Sequence, residues 1–432
     1  MMDSRPADQP VNDSPKEPAS EPAAIPPAGE SRKISLPNAA VGRDYKAQID
    51  FTAAPGTVVA DATATGLDEL GLRFDPVTFA VDGSPGKAGD FPFSFRAALQ
   101  ESAGPKRVLE LVGVLTVNPD PKSLWRDIAS DPAGRFAKPD DECRSATADG
   151  TLVVGASRRG RSHAHEGKYR DDEFGFRLVA DGWWLIAVAD GAGSAAFSRR
   201  GSQVAIEVAL DKLEALLPLH GNAALFDAAL KVKGGDEAAQ HAVKRRLYQV
   251  LVRAAHAGAV AIESEAAREN EPARAFASTL MLAIYRKIEG SHFFAAFGIG
   301  DGGIALLRLD DNEVIPLNEA DAGEYAGQTR FLTTTEFASA ERAFARLRVA
   351  CVDRFTALVL MTDGVSDAKL ETDEAFGDVG RWRELWERDV APALHAQGED
   401  TTAEQRLLSW LDFYTPNNHD DRTLAILLPA TS

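Results

Sequence analysis

Aspartates at the ends of apolar strands are the residues of this chain best suited to chemistry. The run "WWLIAVADGAGS", residues 183–194, ends its apolar stretch on Asp190, and "FTALVLMTDGVSD", residues 355–367, does the same at Asp363. A carboxylate at the end of a buried strand is costly unless it is paired or binds a metal ion. Two segments of the same design therefore raise the question of what these carboxylates hold.

Further acidic residues share this setting of a strand end or turn beside Gly, Asp or Asn. They are Asp171, Asp172, Asp301, Asp367, Asp420 and Asp421. Mg²⁺ and Mn²⁺ prefer carboxylate oxygens as ligands. Gly191, directly after Asp190, would let a backbone carbonyl approach an ion closely, because glycine has no Cβ. One Asp-Gly after a strand is usually only a turn, but the repetition favours a site for hard divalent cations.

The elements that must position these aspartates lie between Thr151 and the C-terminus. Strand-like runs adjoin the acidic residues, for example "FGFRLVAD", "HFFAAFGIGD" and "TLAILLPA". Apolar residues recur at helical spacing from Ala196 to Leu217 and from Glu237 to Ser264. Two shorter helical stretches, "VGRWRELWERDVAPALHA" and "TAEQRLLSWLDFY", precede the last strand. Runs of hairpin strands between blocks of helices predict an α+β fold rather than an alternating parallel sheet.

The residues before this domain differ in composition. Residues 1–30, rich in Pro, Ala, Ser and charge, predict a disordered tail. Residues 31–119 carry short alternating apolar runs between turn clusters and predict an all-β sandwich. Residues 120–149 are expected to be a linker with a helical turn around Leu124 to Ile128, and residues 150–430 the main domain.

Composition restricts the partners and the compartment. The net charge of -18 argues against nucleic acid and anionic membranes as partners. The isolated Cys143 and Cys351 exclude a disulfide framework and a thiolate zinc cluster. No run approaches the ~20 apolar residues of a membrane helix, and the N-terminus lacks the apolar centre of a secretory signal. We therefore expect a cytoplasmic protein without a membrane span, in which metal ions supply any positive charge needed for binding anions.

Ordered motifs across residues 151–429 resemble those of the metal-dependent protein phosphatases, the type 2C serine/threonine family in its bacterial form. These motifs are "GASRRGRSHAHEGKYRDDEF", "AVADGAGS", "FASTLMLA", "AAFGIGDGGIALL", "TRFLT", "LVLMTDGVSD" and "DDRTLAIL". The resemblance implies a four-layer αββα sandwich, in which two antiparallel sheets are flanked by helices and metal ions lie in a cleft at one end. Residues 31–119 resemble bacterial immunoglobulin-like (cadherin-like) modules.

The resemblance also implies ligand roles. Asp190 would bridge two Mn²⁺ or Mg²⁺ ions and Gly191 would lend its carbonyl. Asp363 and Asp420 would complete one ion, and the family pattern favours Asp420 over Asp421. Asp171 and Asp172 would act mainly through metal-bound water. Asp301 and Asp367 match positions that hold a third, weaker ion in some members.

The expected activity is hydrolysis of phosphoserine and phosphothreonine in proteins by direct attack of a water held between two ions, with Asp190, Asp363 and Asp420 as the catalytic ligands. The partner would be a phosphorylated protein, with a bacterial serine/threonine kinase as its counterpart. A phosphatase-fold scaffold or phospho-reader with weak catalysis is the alternative. The haloacid dehalogenase class is excluded, because neither Asp-Gly segment contains its Asp-x-Asp nucleophile and acid.

The chain departs from the family pattern at the positions that handle substrate phosphate. Gly167 stands where the family has an arginine four residues before the first acid, which leaves Arg170 and Arg161 as candidate phosphate ligands or as part of a solvated basic loop. Ala192 stands where many members have a histidine proposed as proton donor. A metal-bound water or His163 would then protonate the leaving group.

Overall fold

The computed structural model describes residues 30–51, 57–101, 106–120, 123, 125–220, 223–319, 329–370, 372–395, 401–416 and 418–429. The chain divides into two compact units, Met1–Leu124 and Trp125–Ser432. The predicted tail lies outside the described residues, apart from Glu30. No helix within the described ranges combines the length and the apolar character that a membrane crossing requires.

The first unit is rich in β-structure, as its alternating pattern predicts. Its strands are β1 (Glu30–Lys33), β2 (Ala39–Ala40), β3 (Tyr45–Gln48), β4 (Thr57–Thr65), β5 (Leu72–Phe74), β6 (Ala80–Gly83), β7 (Gly89–Glu101) and β8 (Arg107–Asn118). One sheet has the order β1-β8-β7-β4, with β2 also on β8, and the other has the order β3-β6-β5. A single core that includes Phe51, Leu72 and Phe95 joins them. The immunoglobulin-like assignment stays a prediction.

The second unit contains two antiparallel sheets. Its strands are β9 (Asp141–Ala148), β10 (Thr151–Arg158), β11 (Glu173–Val179), β12 (Trp183–Ala189), β13 (Leu280–Ile288), β14 (Ser291–Ile299), β15 (Gly303–Arg308), β16 (Glu313–Pro316), β17 (Arg348–Val352), β18 (Ala357–Met361) and β19 (Arg422–Leu428). The six-stranded sheet has the order β16-β15-β18-β19-β10-β9, and the five-stranded sheet has the order β11-β12-β13-β14-β17.

The second unit also contains helices. They are α1 (Arg161–Glu166), α2 (Ser198–His220), α3 (Ala223–Val232), α4 (Glu237–Leu247), α5 (Arg253–Arg268), α6 (Ala340–Ala345), α7 (Asp363–Lys369), α8 (Asp373–Phe376), α9 (Val379–Leu385), α10 (Ala391–His395) and α11 (Ala403–Trp410). Most of them cover the outer faces of these sheets, whereas α1 places His163 beside Asp421. Single π-helical turns at Tyr248–Val252 and Trp386–Val390 connect α4 to α5 and α9 to α10. The long helices expected from the apolar spacing are thereby confirmed.

Three layers of apolar side chains confirm the expected four-layer αββα sandwich. Strand β12 shows why: Leu185 and Ala187 pack toward α2 to α5, whereas Ile186 and Val188 face the other sheet. A strand with both faces buried must be apolar at every position, because its side chains alternate between faces. A third core, which includes Trp382 and Leu407, lies between the six-stranded sheet and α9 to α11.

The segment expected to be a linker contributes an edge strand to the second unit. Strand β9 pairs with β10 along its whole length, from Asp141 opposite Arg158 to Ala148 opposite Thr151. The expected helical turn does not form in the described residues 125–128. The sequence did not predict this strand. Every residue of "DECRSATA" is exposed or partly exposed at the edge of the sheet, so the segment lacks the apolar residues that mark a buried strand.

Candidate metal centre

Antiparallel pairing brings the first Asp-Gly segment to the first acidic pair. Strand β12 ends at Ala189, which lies opposite Glu173 at the start of β11. Asp190 follows the end of one strand and Asp172 precedes the start of the other, so the two carboxylates are neighbours. Asp190 is fixed at its backbone, because its N–H donates to Thr279 Oγ1 at 2.8 Å and its carbonyl accepts from Ser278 Oγ at 2.9 Å.

The second Asp-Gly segment meets the last acidic pair by the same arrangement in the other sheet. Strand β18 ends at Met361, opposite Leu424 in β19. Asp363 then begins α7, and Asp420 with Asp421 precedes β19. One end of the sandwich therefore collects acidic residues from both sheets.

Three carboxylates converge at this end. Oxygens of Asp190, Asp301 and Asp363 all lie within 4.8 Å of one another. The Oδ1 atoms of Asp172, Asp301 and Asp363 are buried and have no hydrogen-bond partner among the described residues. Buried anionic oxygens without donors are unfavourable unless a cation compensates them, so this donor set fits a hard divalent ion.

The electrostatics of the cluster agree with that fit. Burial and the carboxylates of Asp172, Asp363 and Asp420 raise the pKa of Asp190 well above its ordinary value. Burial, followed by Asp420 and Asp301, does the same to the pKa of Asp363. Each carboxylate resists ionisation because it is buried and because its neighbours carry the same charge, and bound cations would compensate both effects.

Asp172 is held in one orientation by hydroxyl groups. Its Oδ2 accepts from Thr362 Oγ1 at 2.8 Å and from Thr423 Oγ1 at 2.8 Å. Burial and the charge of Asp421 raise its pKa to about 7. These threonines flank the acidic residues in "MTDG" and "DDRT", and that adjacency was the only sequence signal for their role.

Asp420 and Asp421 have different environments. Asp421 accepts the backbone N–H of Gly160 at 2.6 Å and that of Asp171 at 2.5 Å, and its Oδ1 lies 3.0 Å from His163 Nδ1. Burial alone would raise the pKa of Asp421, but these hydrogen bonds lower it. Asp420 Oδ1 accepts the backbone N–H of Asp421 at 2.8 Å, but burial and the charge of Asp421 outweigh this bond and raise the pKa of Asp420. Asp421 thus joins three chain segments, and the choice of Asp420 as the ligand stays a prediction.

Asp171 lies beside a histidine. Its Oδ2 is 3.8 Å from His163 Nε2, and burial with the charge of Asp421 raises its pKa to about 6. Burial would lower the pKa of His163, but Asp421, Asp171 and Asp420 outweigh it and raise that pKa to about 9.

Asp367 and Gly191 complete the predicted set. Asp367 follows Asp363 by one turn of α7, and its charge contributes to the raised pKa of Asp363. A Cβ on Gly191 would lie 2.6 Å from the carbonyl oxygen of Asp171, so this position has no room for a side chain.

The expectation that Arg170 binds substrate phosphate is corrected by its surroundings. The side chain is fully buried, and it donates to Ser157 Oγ at 2.6 Å, to the Asp172 carbonyl at 2.7 Å and to Glu142 at 2.9 Å. Its donors serve the interior, so it cannot reach a substrate. Arg161 pairs with Asp412 through Nη2 at 2.7 Å, and its role as a phosphate ligand stays a prediction.

Comparison with known proteins defines the class. The sequence model of the family described as Protein phosphatase 2C matches residues 159–412, which is more than half of the chain. The chain therefore belongs to the protein phosphatase 2C family. Phosphatases of this family use Mn²⁺ or Mg²⁺, and the acidic cluster is able to bind such an ion.

Solved structures of bacterial phosphatases resemble this chain. The catalytic domain of the serine/threonine phosphatase PstP, with two manganese ions, is 18% identical and covers 65% of this chain and 99% of its own, with a TM-score of 0.36. PstP of Mycobacterium tuberculosis gives the same values in a second crystal structure. Stp1 from Staphylococcus aureus is 12% identical and covers 69% of this chain and 99% of its own, with a TM-score of 0.34. A search of curated proteins gives no match.

Proposed function

We propose that this chain hydrolyses phosphoserine and phosphothreonine in proteins, with two Mn²⁺ or Mg²⁺ ions at the acidic cluster. The observation that carries the proposal is the convergence of Asp190, Asp301 and Asp363 within 4.8 Å, together with buried carboxylate oxygens that lack donors. Membership of the family supplies the reaction class.

The proposed division of labour among the ligands is the one that the family resemblance implies. Asp190 would bridge the two ions, Gly191 would offer its carbonyl, and Asp363 and Asp420 would complete one of the ions. Asp171 and Asp172 would act through water, and Asp301 and Asp367 would hold a third, weaker ion. When bound, such ions lower the pKa of water and neutralise the charge that develops on the phosphoryl group.

Positive charge for the phosphate is proposed to come from the ions rather than from arginine. In the described part of the basic loop, Arg158 pairs with Asp141 at 3.5 Å, and Arg159 pairs with Asp140 at 3.2 Å. Lys168 pairs with Glu166 at 2.6 Å. These pairs neutralise the loop locally, so it offers little net attraction for an anion.

The proposed partner is a phosphorylated protein, with a serine/threonine kinase as its counterpart in the cytoplasm. For the domains we propose an immunoglobulin-like module at 31–119 and a catalytic domain at 150–430. We extend the catalytic domain to include residues 125–149, because β9 pairs with β10 and the compact unit begins at Trp125. The second candidate function, a weakly catalytic phospho-reader, is favoured by Ala192 and Gly167, which replace family residues at the phosphate site.

The deciding experiment measures phosphate release from a phosphothreonine peptide with Mn²⁺. Wild type is expected to turn over, and Asp190→Ala and Asp363→Ala are each expected to lose at least roughly a hundredfold in rate, because each removes a ligand of the activating ion. Asp310→Ala is the matched control. Asp310 is exposed and lies after the end of β15, whereas Asp301 lies before the start of the same strand. If wild type and the cluster variants are equally inert while phosphopeptide binding persists, the phospho-reader function replaces the phosphatase.

A further inference from the structure

Two buried cationic side chains converge on the backbone carbonyl oxygen of Asp172. Lys138 Nζ donates to it at 2.6 Å, and Arg170 Nη1 donates to it at 2.7 Å. The side chains of Lys138 and Arg170 are 2% and 0% exposed. A carbonyl oxygen has two lone pairs and can accept both bonds, so this peptide group is held from two sides.

Each cation also has a carboxylate partner. Lys138 Nζ lies 2.9 Å from Glu173 Oε2, and Arg170 lies 2.9 Å from Glu142 Oε2. The Lys138–Glu173 pair is buried, and such a pair adds little net stability compared with apolar residues of the same size, because both charges lose their hydration. Glu142 is partly exposed, so its pair with Arg170 is also a weak source of stability. Stability alone is therefore a weak reason for two cations next to Asp171 and Asp172, which we call the acidic turn.

The carbonyl contacts complete the restraint on Asp172. Its Oδ2 is already held by Thr362 and Thr423, while its Oδ1 stays buried without a donor among the described residues. With backbone and Oδ2 both fixed, the free oxygen keeps one position beside Asp190, whose pKa responds to it. A group held in this way needs no reorganisation when an ion or its water shell arrives.

Lys138 comes from a part of the chain outside the match to the family, which begins at residue 159. The same segment is anchored elsewhere by Arg135, which forms ion pairs with Glu269 at 2.6 Å and with Glu271 at 3.1 Å. The segment before β9 thus contacts Glu269 and Glu271 through Arg135, and it places the buried ammonium of Lys138 against the backbone of Asp172.

We propose that Lys138 is a positioning residue for the metal centre, acting through the carbonyl of Asp172 to set the affinity of the site for its ions. This inference rests on the proposed function, because it concerns the same cluster. Partners that orient metal ligands from behind typically change metal affinity by roughly 10- to 100-fold when they are removed.

The test measures Mn²⁺ binding to the full chain by titration calorimetry, with folding checked by circular dichroism. Lys138→Met and the double variant Lys138→Met with Glu173→Gln are both expected to bind Mn²⁺ roughly 10- to 100-fold more weakly than wild type. The double variant leaves no unpaired buried charge, so it keeps the experiment decisive if the single variant folds poorly. Glu173→Gln alone preserves the lysine and its carbonyl contact but leaves the buried ammonium without its carboxylate. It is therefore expected to lower the melting temperature and to bind Mn²⁺ as wild type does.

Arg135→Met is the structural control, because it removes an anchor of the same segment at a distance from the acidic turn. It is expected to lower the melting temperature without changing Mn²⁺ affinity. The inference is overturned if the double variant binds Mn²⁺ like wild type, or if Glu173→Gln and Arg135→Met weaken binding as much as Lys138→Met does. Failure of wild type itself to bind millimolar Mn²⁺ would overturn the proposed function, and this inference with it.

Discussion

At the scale of single residues, the glycine after each of two cluster aspartates is constrained by a neighbouring backbone. A Cβ on Gly191 would lie 2.6 Å from the carbonyl oxygen of Asp171, and a Cβ on Gly364 would lie 1.8 Å from that of Asp421. Real Cβ atoms essentially never come closer than 3.0 Å. The glycine after Asp190 therefore lets the backbone of Asp171 come close, and the glycine after Asp363 does the same for the backbone of Asp421.

Substitution of these glycines is expected to disturb the cluster while leaving every carboxylate present. Gly191→Ala and Gly364→Ala should each lower the free energy of unfolding by about 1–3 kcal/mol, because the methyl group displaces backbone rather than a flexible side chain. Both should also weaken Mn²⁺-dependent phosphate release.

The measurements are urea unfolding and turnover of a phosphothreonine peptide. Gly234→Ala is the control, since the nearest atom to its added Cβ is 3.5 Å away. Wild-type stability and turnover in Gly364→Ala would show that the neighbouring backbone moves aside freely, contrary to this explanation.

At the scale of elements, strand direction assembles the site. In each sheet, a strand that ends just before an aspartate pairs antiparallel with a strand that begins just after an acidic pair. Strand β12 pairs in this way with β11, and β18 pairs in this way with β19. Antiparallel neighbours bring the end of one strand to the start of the next. The edge strand β9 extends the six-stranded sheet beyond β10, and the segment before β9 carries Lys138.

Two fragments are expected to behave differently. Residues 125–432 should fold and bind Mn²⁺, because they form a compact unit with its own cores. Residues 150–432 should be less stable and bind Mn²⁺ more weakly, because they lack β9 and Lys138 and leave the edge of β10 unpaired.

Thermal unfolding and Mn²⁺ titration of both fragments provide the comparison. Equal melting temperatures and equal affinities would show that residues 125–149 contribute nothing to the catalytic unit. The full chain is the reference for both quantities.

At the scale of the whole molecule, an acidic protein concentrates further negative charge in one place. The chain carries a net charge of -18, and burial among like charges raises the pKa of Asp171 to about 6 and that of Asp172 to about 7. A carboxyl whose pKa is raised on folding stabilises the protein below its unfolded pKa, and this contribution is lost as the pH rises through the folded value. The metal-free fold is therefore less stable at neutral pH than at acidic pH.

The free energy of unfolding without metal is expected to fall between about pH 4 and pH 8. For Asp171, the change from 3.8 to about 6 corresponds to roughly 3 kcal/mol at most. The raised pKa of His163, about 9, acts in the same direction as the pH rises from 6.5 toward that value. Saturating Mn²⁺ should remove most of the fall from the carboxyls, since cations stabilise their ionised forms.

Chemical denaturation across this pH range, with a chelator and with Mn²⁺, gives the two curves. A metal-free curve that is flat, or that rises toward pH 8, would contradict the repulsion within the cluster. A fall that persists unchanged with Mn²⁺ would place its origin outside the cluster.

The amino-acid order by itself determined the class of fold and the acidic composition of the site. Strands buried on both faces are continuously apolar, and a carboxylate that ends such a strand stands out against them, as Asp190 and Asp363 do. Both signals are local, so they survive in a single sequence. The family motifs extended this local information to the αββα arrangement.

Tertiary structure alone decided which charged groups face one another. Arg170 lies close in sequence to the acidic pair, yet its donors point to Glu142 and the interior. Lys138 supports Asp172 from a segment that was expected to be a linker, and Asp421 joins Gly160 to Asp171 across more than two hundred residues. These contacts depend on packing between distant segments and on burial, which turns a surface charge into a structural one, and neither quantity is written in local sequence.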